Sequence, residues 1–309
     1  MAHRLTVALL VGVALGSSGC VETGRLSPSV ERARRESVNL TYEVVDSGLG
    51  MEPDGYTFLN ERFRFEFDRG FDGVAGYETK DDRLKKGTDA SEFLNDGYEF
   101  VRDIFGIEAS KQLLVVIAPT VRGDADDAYT QTQWMLMGEG GRMIEDSQES
   151  VIYFGQAAFE DHTVLAHEMT HALLNAYRLP AWFSEGIAAL VEVDYAKSSR
   201  TDFGKYTTKP IGLDESGHNV IQTWRGHGSA LPERSSETYG SAYAIIREIR
   251  MRYGDDVYPL FFGDFKVTKA HLASGDELSL DVIIDTFNRV TGRDVAPFFQ
   301  EIQFDVEDR

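Results

Sequence analysis

The sequence has a single cysteine, Cys20, among its 309 residues. A lone thiol can pair only with another molecule, so the chain forms no internal disulfide and its fold depends on its core. Basic residues are also scarce, since 31 lysines and arginines stand against 51 acidic residues, a formal net charge of -20. Such a surface repels polyanions, which argues against nucleic acid as a partner. The sequence also lacks a P-loop, a dinucleotide fingerprint and a Ser-His-Asp elbow.

Long apolar runs are lacking too, because the run at the N-terminus, Leu5–Gly16, has only twelve residues. It is too short to span a bilayer, and its positively charged start and the small residues after it are typical of a secretory signal. Cys20 ends the stretch "SSGC", which resembles a bacterial lipoprotein signal in which this thiol receives a lipid. Ser17 stands where that pattern usually has leucine. The alternative is an ordinary cleaved signal with a stray cysteine.

The whole chain divides into segments of different composition. We expect residues 1–19 to be a signal peptide of the lipoprotein type, and residues 20–39 to be a polar tether to the membrane. The protein is then exported, periplasmic or at the cell surface, and anchored through a lipid on Cys20. With 42% hydrophobic residues, the remainder can bury a full core. We place an N-terminal lobe at residues 40–179 and a C-terminal lobe at residues 180–309.

Strand patterns occur early in the chain. Alternating residues predict strands at Leu40–Val45 and Arg62–Asp68, and apolar runs predict buried strands at Leu113–Pro119 and Ser150–Gly155. An apolar stripe with helical spacing predicts one early helix, Asp89–Phe105, which a glycine closes.

Helical patterns dominate the later part of the chain. Two helices are predicted at about Thr163–Tyr177 and Pro180–Val193, and the chain from Thr238 onward is predicted to be mostly helical. The glycine-rich polar segment at 137–147 predicts a loop or flap. Strands early and helices late indicate an α+β fold, with a mixed sheet in the first lobe and mostly helices in the second.

One short motif carries most of the functional information. His167 and His171 are four residues apart in "HEMTH", so on a helix both rings project from one face and can bind one ion. Glu168 follows the first histidine, where its carboxylate can take a proton from water at the metal. The pattern therefore predicts a zinc site, with satisfied core histidines as the alternative.

A zinc site needs a third protein ligand. Glu185 follows His171 after thirteen intervening residues, in "LPAWFSEG". A turn at Leu179-Pro180 and one further helical turn can return its carboxylate to the metal. Two histidines and one glutamate leave the fourth position open to water, which is typical of a catalytic zinc site.

These residues also carry a resemblance. "HEMTHALLN" with "LPAWFSEGIAAL" resembles the gluzincin metallopeptidases, in particular the peptidase-MA-like group with a Trp-x-x-Glu-Gly segment. "TYGSAYAIIREIRMRYGDDVYPLF" is similar to the helix that follows in that group, so the resemblance covers about residues 60–265. It implies a zincin-like α+β fold, with the motif helix beneath a mixed sheet and a mostly helical lobe across the cleft.

The resemblance assigns a role to each matching residue. It implies that His167, His171 and Glu185 bind one zinc ion per chain and that Glu168 is the general base. It further implies that Tyr239 steadies the transition state. The implied reaction is hydrolysis of a peptide or protein substrate.

Two parts of the family pattern stay open. Ala189 stands where the thermolysin-like pattern has an acidic residue that orients a zinc histidine. Three nearby side chains are candidates to orient that ring instead, namely Asn175, Glu192 and Asp194. Tyr239 is either the predicted hydrogen-bond donor or a core tyrosine on an amphipathic helix. Three histidines are alternatives for its role, namely His162, His218 and His227.

Two other functions remain alternatives to a zinc metallopeptidase. One is a zinc hydrolase of non-peptide substrates, since the shape of the cleft is not readable from sequence. The other is a non-catalytic envelope lipoprotein that retains the fold. Glu168 argues against the second alternative, because a protein that keeps the fold only for binding has no need of a general base.

Overall fold

The structure is a computed structural model that describes residues 43–44, 49–133, 136–137, 142–143, 149–196, 207–226, 235–264 and 277–306. The predicted signal peptide, the predicted tether, Cys20 and His227 lie outside the described residues. Within the described residues, no helix is long and apolar enough to cross a bilayer.

A mixed sheet forms the first part of the fold. Its described strands are β1 Glu43–Val44, β2 Gly50–Met51, β3 Thr57–Leu59, β4 Phe63–Phe67, β5 Leu113–Ala118, β6 Ala128–Gln133 and β9 Glu149–Gly155, in the order β1-β2-β3-β4-β5-β9-β6. β4, β5 and β9 run parallel to one another, whereas β6 is antiparallel to β9 at the edge. A separate hairpin pairs β7 Leu136–Met137 with β8 Arg142–Met143.

Helices make up most of the rest of the described chain. They are α1 Lys80–Phe105, α2 Gln156–Phe159, α3 His162–Leu174, α4 Ala181–Ala196, α5 Ser235–Tyr253, α6 Val257–Asp264, α7 Leu280–Thr291 and α8 Ala296–Glu301. Helix α3 packs between the sheet and α4, and α4 packs in turn against α5. The α+β fold and the position of the motif helix against a mixed sheet are therefore confirmed.

One apolar core joins the sheet to these helices. The side chains of Phe63 and Phe65 on β4 are at most 1% exposed and share this core with residues of helices from α1 to α8. A smaller cluster of Val116, Val121, Val151 and Tyr153 packs on the other face of the sheet. The alternation predicted for Arg62–Asp68 matches β4, since three phenylalanines point into the main core.

Several boundaries differ from the expectations. Helix α1 begins nine residues earlier than predicted, because Thr79 and Asp82 form a capping box ahead of a polar, exposed first half. The segment 137–147, expected to be a loop or flap, includes the short strand β8. Its other residues from 138 on lie outside the described part. Strand β6 was not predicted at all.

Candidate metal centre and active site

Helix α3 presents the motif residues. The side chain of Asp161 caps the helix by accepting a hydrogen bond from Thr163 N at 2.9 Å. His167 and His171 then lie one turn apart, and their Nε2 atoms are 3.2 Å from each other. His171 is 4% exposed and the side chain of His167 is 16% exposed, so the ring of His171 is buried and that of His167 is partly buried.

Helix α4 brings the third predicted ligand to the same place. After α3 the chain makes one 3₁₀ turn, and Arg178 adopts the left-handed conformation with φ 48°, which reverses the chain direction before α4. Glu185 lies in the first turns of α4 and is 1% exposed. Its Oε2 atom is 3.4 Å from Nε2 of His167 and 3.3 Å from Nε2 of His171.

These three atoms form a nearly equilateral triangle. A tetrahedral zinc ion with ligands at about 2.0–2.1 Å has its ligand atoms about 3.3–3.4 Å apart. The three distances of 3.2, 3.3 and 3.4 Å fit one face of such a tetrahedron. Two imidazoles with one carboxylate also suit zinc better than calcium or magnesium, which prefer oxygen ligands.

The carboxylate of Glu185 supports the same fit. Both of its oxygens are buried without a hydrogen bond, although Oε2 is within ion-pair distance of the two rings. A buried carboxylate without such a bond is costly, and a cation at the centre of the triangle relieves that cost. Within the described residues, this is the group of histidine and acidic side chains whose geometry suits a metal ion.

The charges of the group are strongly coupled. Burial opposes the charged form of His167, but its contacts with the carboxylates of Glu185 and Glu192 raise its pKa well above the usual value. Burial likewise opposes the charged form of Glu185, while the charge of His171 and the contacts with both rings lower its pKa to about 2. The site thus favours a positive charge, which a proton or a metal ion can supply.

Each histidine is oriented through its other nitrogen. Nδ1 of His167 lies 3.3 Å from Oε2 of Glu192, and Nδ1 of His171 lies 3.1 Å from Oγ of Ser184. Such partners fix the ring and the tautomer of a metal-binding histidine. Glu192 therefore provides the carboxylate beside a histidine that Ala189 cannot provide. Ser184 was missed, because a single serine gives no recognisable signal.

The other two candidates for orienting a zinc histidine are engaged elsewhere. Asn175, at the end of α3, donates hydrogen bonds to the hydroxyls of Thr132 and Ser150. Asp194 accepts a hydrogen bond of 3.1 Å from Nη2 of Arg250. Asn175 thereby attaches α3 to the sheet, and Asp194 attaches α4 to α5.

A cavity of about 280 Å³ opens beside the cluster. It is lined by Arg122, Asp126, Asp127, Ala128, Val164, His167, Glu168, Glu192 and Tyr239. Glu168 is 5% exposed, and its Oε2 accepts a hydrogen bond of 2.7 Å from the hydroxyl of Thr130. Glu168 and one proposed ligand therefore share a single cavity with Tyr239.

Tyr239 reaches the cavity from helix α5. Its half-buried ring packs edge-on against Trp224, with ring centroids 5.1 Å apart. Neither described histidine alternative lines the cavity. His162 contacts Tyr195, and Nε2 of His218 lies 3.7 Å from Oδ1 of Asp305. Of the described candidates, Tyr239 is the one that lines the same cavity as Glu168.

A close helix crossing holds the two sides of the site together. A Cβ atom built on Gly186 would lie 2.6 Å from the main-chain oxygen of Ala242 and 2.6 Å from a side-chain carbon of Ile246. Only a glycine allows α5 to approach so near to the residue after Glu185. The crossing sets the distance between Glu185 and the helix of Tyr239.

Comparisons with known proteins add a distant likeness. No protein-family profile and no curated protein matches the sequence. Among solved structures, the fold is similar to an M1 zinc metallopeptidase variant from Deinococcus radiodurans bound to a Tyr-Ser-Ala substrate. The two sequences are 14% identical and the TM-score is 0.40. The match covers 86% of this chain and 51% of that one. A second structure of an M1 zinc metallopeptidase from that organism gives 14% identity, a TM-score of 0.41, and coverage of 80% and 49%. This chain spans about half the length of these proteins.

Proposed function

We propose that this protein is a zinc-dependent peptidase that hydrolyses amide bonds with Glu168 as general base. The observation that carries the proposal is the triangle of His167, His171 and Glu185, whose edges of 3.2 to 3.4 Å fit a zinc ion. Glu168 borders this triangle from the adjacent helix position and lines the cavity. Metal ligands and a carboxylate beside an accessible cavity are the minimum for hydrolysis with an activated water.

The residues divide the reaction between them. A bound zinc ion supplies a Lewis acid that makes water more acidic and polarises a carbonyl group. Glu168 takes a proton from the attacking water and later delivers it to the leaving amine. Tyr239, which lines the same cavity from helix α5, donates a hydrogen bond to the oxygen that becomes negatively charged. Glu192 and Ser184 keep the two rings oriented throughout.

The edge of the sheet supports a peptide as the substrate. Ala128, the first residue of β6, lines the cavity. In the described part of the chain, β6 is the last strand of the sheet and pairs with β9 alone. An extended peptide can pair with the main chain of such an edge strand and thereby lie across the cavity. A small non-peptide substrate would make no use of that edge.

The proposal is tested by zinc content and cleavage together. Zinc-loaded, dialysed wild type is expected to hold one zinc per chain by elemental mass spectrometry and to cleave members of a peptide library. The double variant His167→Ala, His171→Ala is expected to lose the zinc. His162→Ala is the matched control, because His162 lies on the same helix but contacts Tyr195 instead of the cluster.

The outcomes separate the alternatives. Unchanged zinc in the double variant contradicts the metal site itself. Full zinc occupancy without cleavage of any peptide leaves the site but rejects the peptidase, in favour of a non-peptide hydrolase or a binding protein.

We also propose that the protein is exported and anchored through a lipid on Cys20. This rests on the sequence of residues 1–20 alone. A single acyl chain gives only marginal attachment, so stable anchoring needs the multiply acylated cysteine of bacterial lipoproteins. Mass spectrometry of the mature N-terminus is expected to find lipid on Cys20. Cleavage elsewhere, with an unmodified thiol, contradicts the anchor.

A further inference from the structure

Glu168 is held from the side of the sheet by Thr130 on strand β6. The Oγ1 atom of Thr130 lies 2.7 Å from Oε2 of Glu168 and 3.0 Å from the main-chain oxygen of the same residue. Both residues are buried, with exposures of 6% and 5%. A hydroxyl has one proton, so it donates to one of these oxygens at a time, and the shorter contact is to the carboxylate.

Thr130 is itself well fixed. It lies inside β6, where it pairs with Ile152 of β9. Its β-branched side chain has few rotamers, so the hydroxyl direction follows the strand. Glu168, in contrast, has a long side chain with several rotatable bonds, and it borders an open cavity. A hydrogen bond to Oε2 selects one orientation of the carboxylate at the cavity that Glu168 lines and leaves Oε1 without this contact.

The same strand contains a second contact of a similar kind. Thr132, two residues further along, lies 3.0 Å from the hydroxyl of Ser150 and accepts a hydrogen bond from Asn175. Both threonines therefore attach α3 to β6, but only Thr130 contacts Glu168. If the threonines served attachment alone, removal of either hydroxyl would have similar consequences.

We propose that Thr130 is a positioning residue for the reaction, because its hydroxyl fixes the carboxylate of Glu168 with one oxygen directed at the substrate. The inference rests on the proposed function, since it assigns the orientation of the proposed general base. It adds a residue outside the motif helix, 38 positions earlier in the chain, to the working parts of the site. The carboxylate stays turned toward the cavity only while the hydroxyl is present.

The experiment compares three variants of the full chain, each loaded with zinc. Thr130→Val removes the hydroxyl with little change in shape, Thr130→Ser restores it, and Thr132→Val is the matched control. Each is measured for zinc content, melting temperature, kcat and KM on a peptide that wild type cleaves. Thr130→Val is expected to keep its zinc and its KM and to lose about 10- to 100-fold in kcat, the size expected for a lost hydrogen bond to a charged group. Thr130→Ser and Thr132→Val are expected to keep kcat within about twofold.

Three results would overturn the inference: normal kcat in fully metallated Thr130→Val, no rescue by Thr130→Ser, or an equal loss in Thr132→Val. Crystal structures of zinc-loaded wild type and Thr130→Val give a readout that does not depend on activity. The Glu168 carboxylate is expected to leave its wild-type orientation in Thr130→Val, and an unchanged orientation rejects the inference. If wild type binds zinc but cleaves nothing, the proposed function fails while these structures still decide the role of Thr130.

Discussion

The proposed ligands and the proposed catalytic side chains are supported by different parts of the molecule. His167, His171 and Glu185 come from two consecutive helices, α3 and α4, and two of the three are at most 4% exposed. Glu168 and Tyr239 both line the cavity, but one depends on a hydrogen bond from the sheet and the other projects from α5. The ligand group is local in the chain, whereas the catalytic pair is assembled from distant segments.

This difference indicates that metal binding and turnover can be separated. The ligand triangle is fixed by helix spacing and by one short connection, so it should tolerate substitution of Glu168 or Tyr239. The catalytic pair depends on how the sheet and α5 meet α3. Substitutions on one side of the site should therefore leave the other side intact, and the following four substitutions test that expectation.

The largest effect is expected for Glu168→Gln. The amide cannot accept a proton from water, and general base catalysis contributes about 10²–10⁴-fold, so kcat should fall by that factor. Zinc content should stay at the wild-type level, because Glu168 contributes no atom to the triangle of proposed ligands. Steady-state kinetics and elemental analysis of the same sample check both parts. Loss of zinc in this variant would erase the distinction between the two groups.

Tyr239→Phe tests the other proposed catalytic side chain. Loss of an oxyanion hydrogen bond typically costs about 10²–10³-fold in kcat, with KM, zinc content and melting temperature unchanged if the phenol acts only as charge develops. Tyr243→Phe is the matched control, since Tyr243 lies one turn further along α5, is 6% exposed and does not line the cavity. A core role for Tyr239 would instead give normal kcat with a lower melting temperature.

Glu192→Gln acts on the ligand side. Substitution of a partner that orients a metal-binding histidine typically weakens metal affinity about 10- to 100-fold. Competition with a chelator measures that loss. Asp194→Asn is the control, because Asp194 lies on the same helix but pairs with Arg250, so its loss should affect stability and not zinc affinity. Equal zinc affinity in the two variants would contradict the role of Glu192 in orienting His167.

Gly186→Ala changes the spacing between the two groups and should have the smallest effect. The added methyl group meets the main-chain oxygen of Ala242 at 2.6 Å, and overpacking of this kind costs about 1–3 kcal/mol. The free energy of unfolding in urea gives the measurement. Gly263→Ala in α6 is the control, since a Cβ there meets no atom within 4 Å and helix propensity should make it slightly stabilising. A neutral Gly186→Ala would show that the helix crossing is adjustable.

Sequence patterns predict what is repeated locally and little else. The four-residue spacing of His167 and His171 fixes their common face on a helix, and the short connection limits where Glu185 can lie. Thr130 and Ser184 give no such signal, because a hydroxyl has a role only through its neighbour in space. Thr130 lies 38 residues from Glu168, a separation that no local pattern reveals.

Strand β6 was missed because its residues also give no local signal in the sequence. β6 has the sequence "AYTQTQ" and lies at the edge of the sheet. An edge strand with polar side chains lacks both the apolar runs and the alternation of apolar residues by which the inner strands were predicted. The first nine residues of α1 were missed likewise, since most of them are polar and only the capping pair Thr79 and Asp82 marks the beginning of the helix.

The short connection through Arg178 has a consequence for how the chain folds. All three proposed ligands lie within residues 167–185, so the ends of this segment meet at a small loop-closure cost. Pairing of β6 with β9, or docking of α5, requires much longer stretches of chain to come together, which slows folding. We therefore expect a zinc ion to bind to the pair of helices α3 and α4 while the rest of the chain is still unfolded. In that case the ion would act as a folding nucleus for the two helices, and refolding should be faster with zinc present.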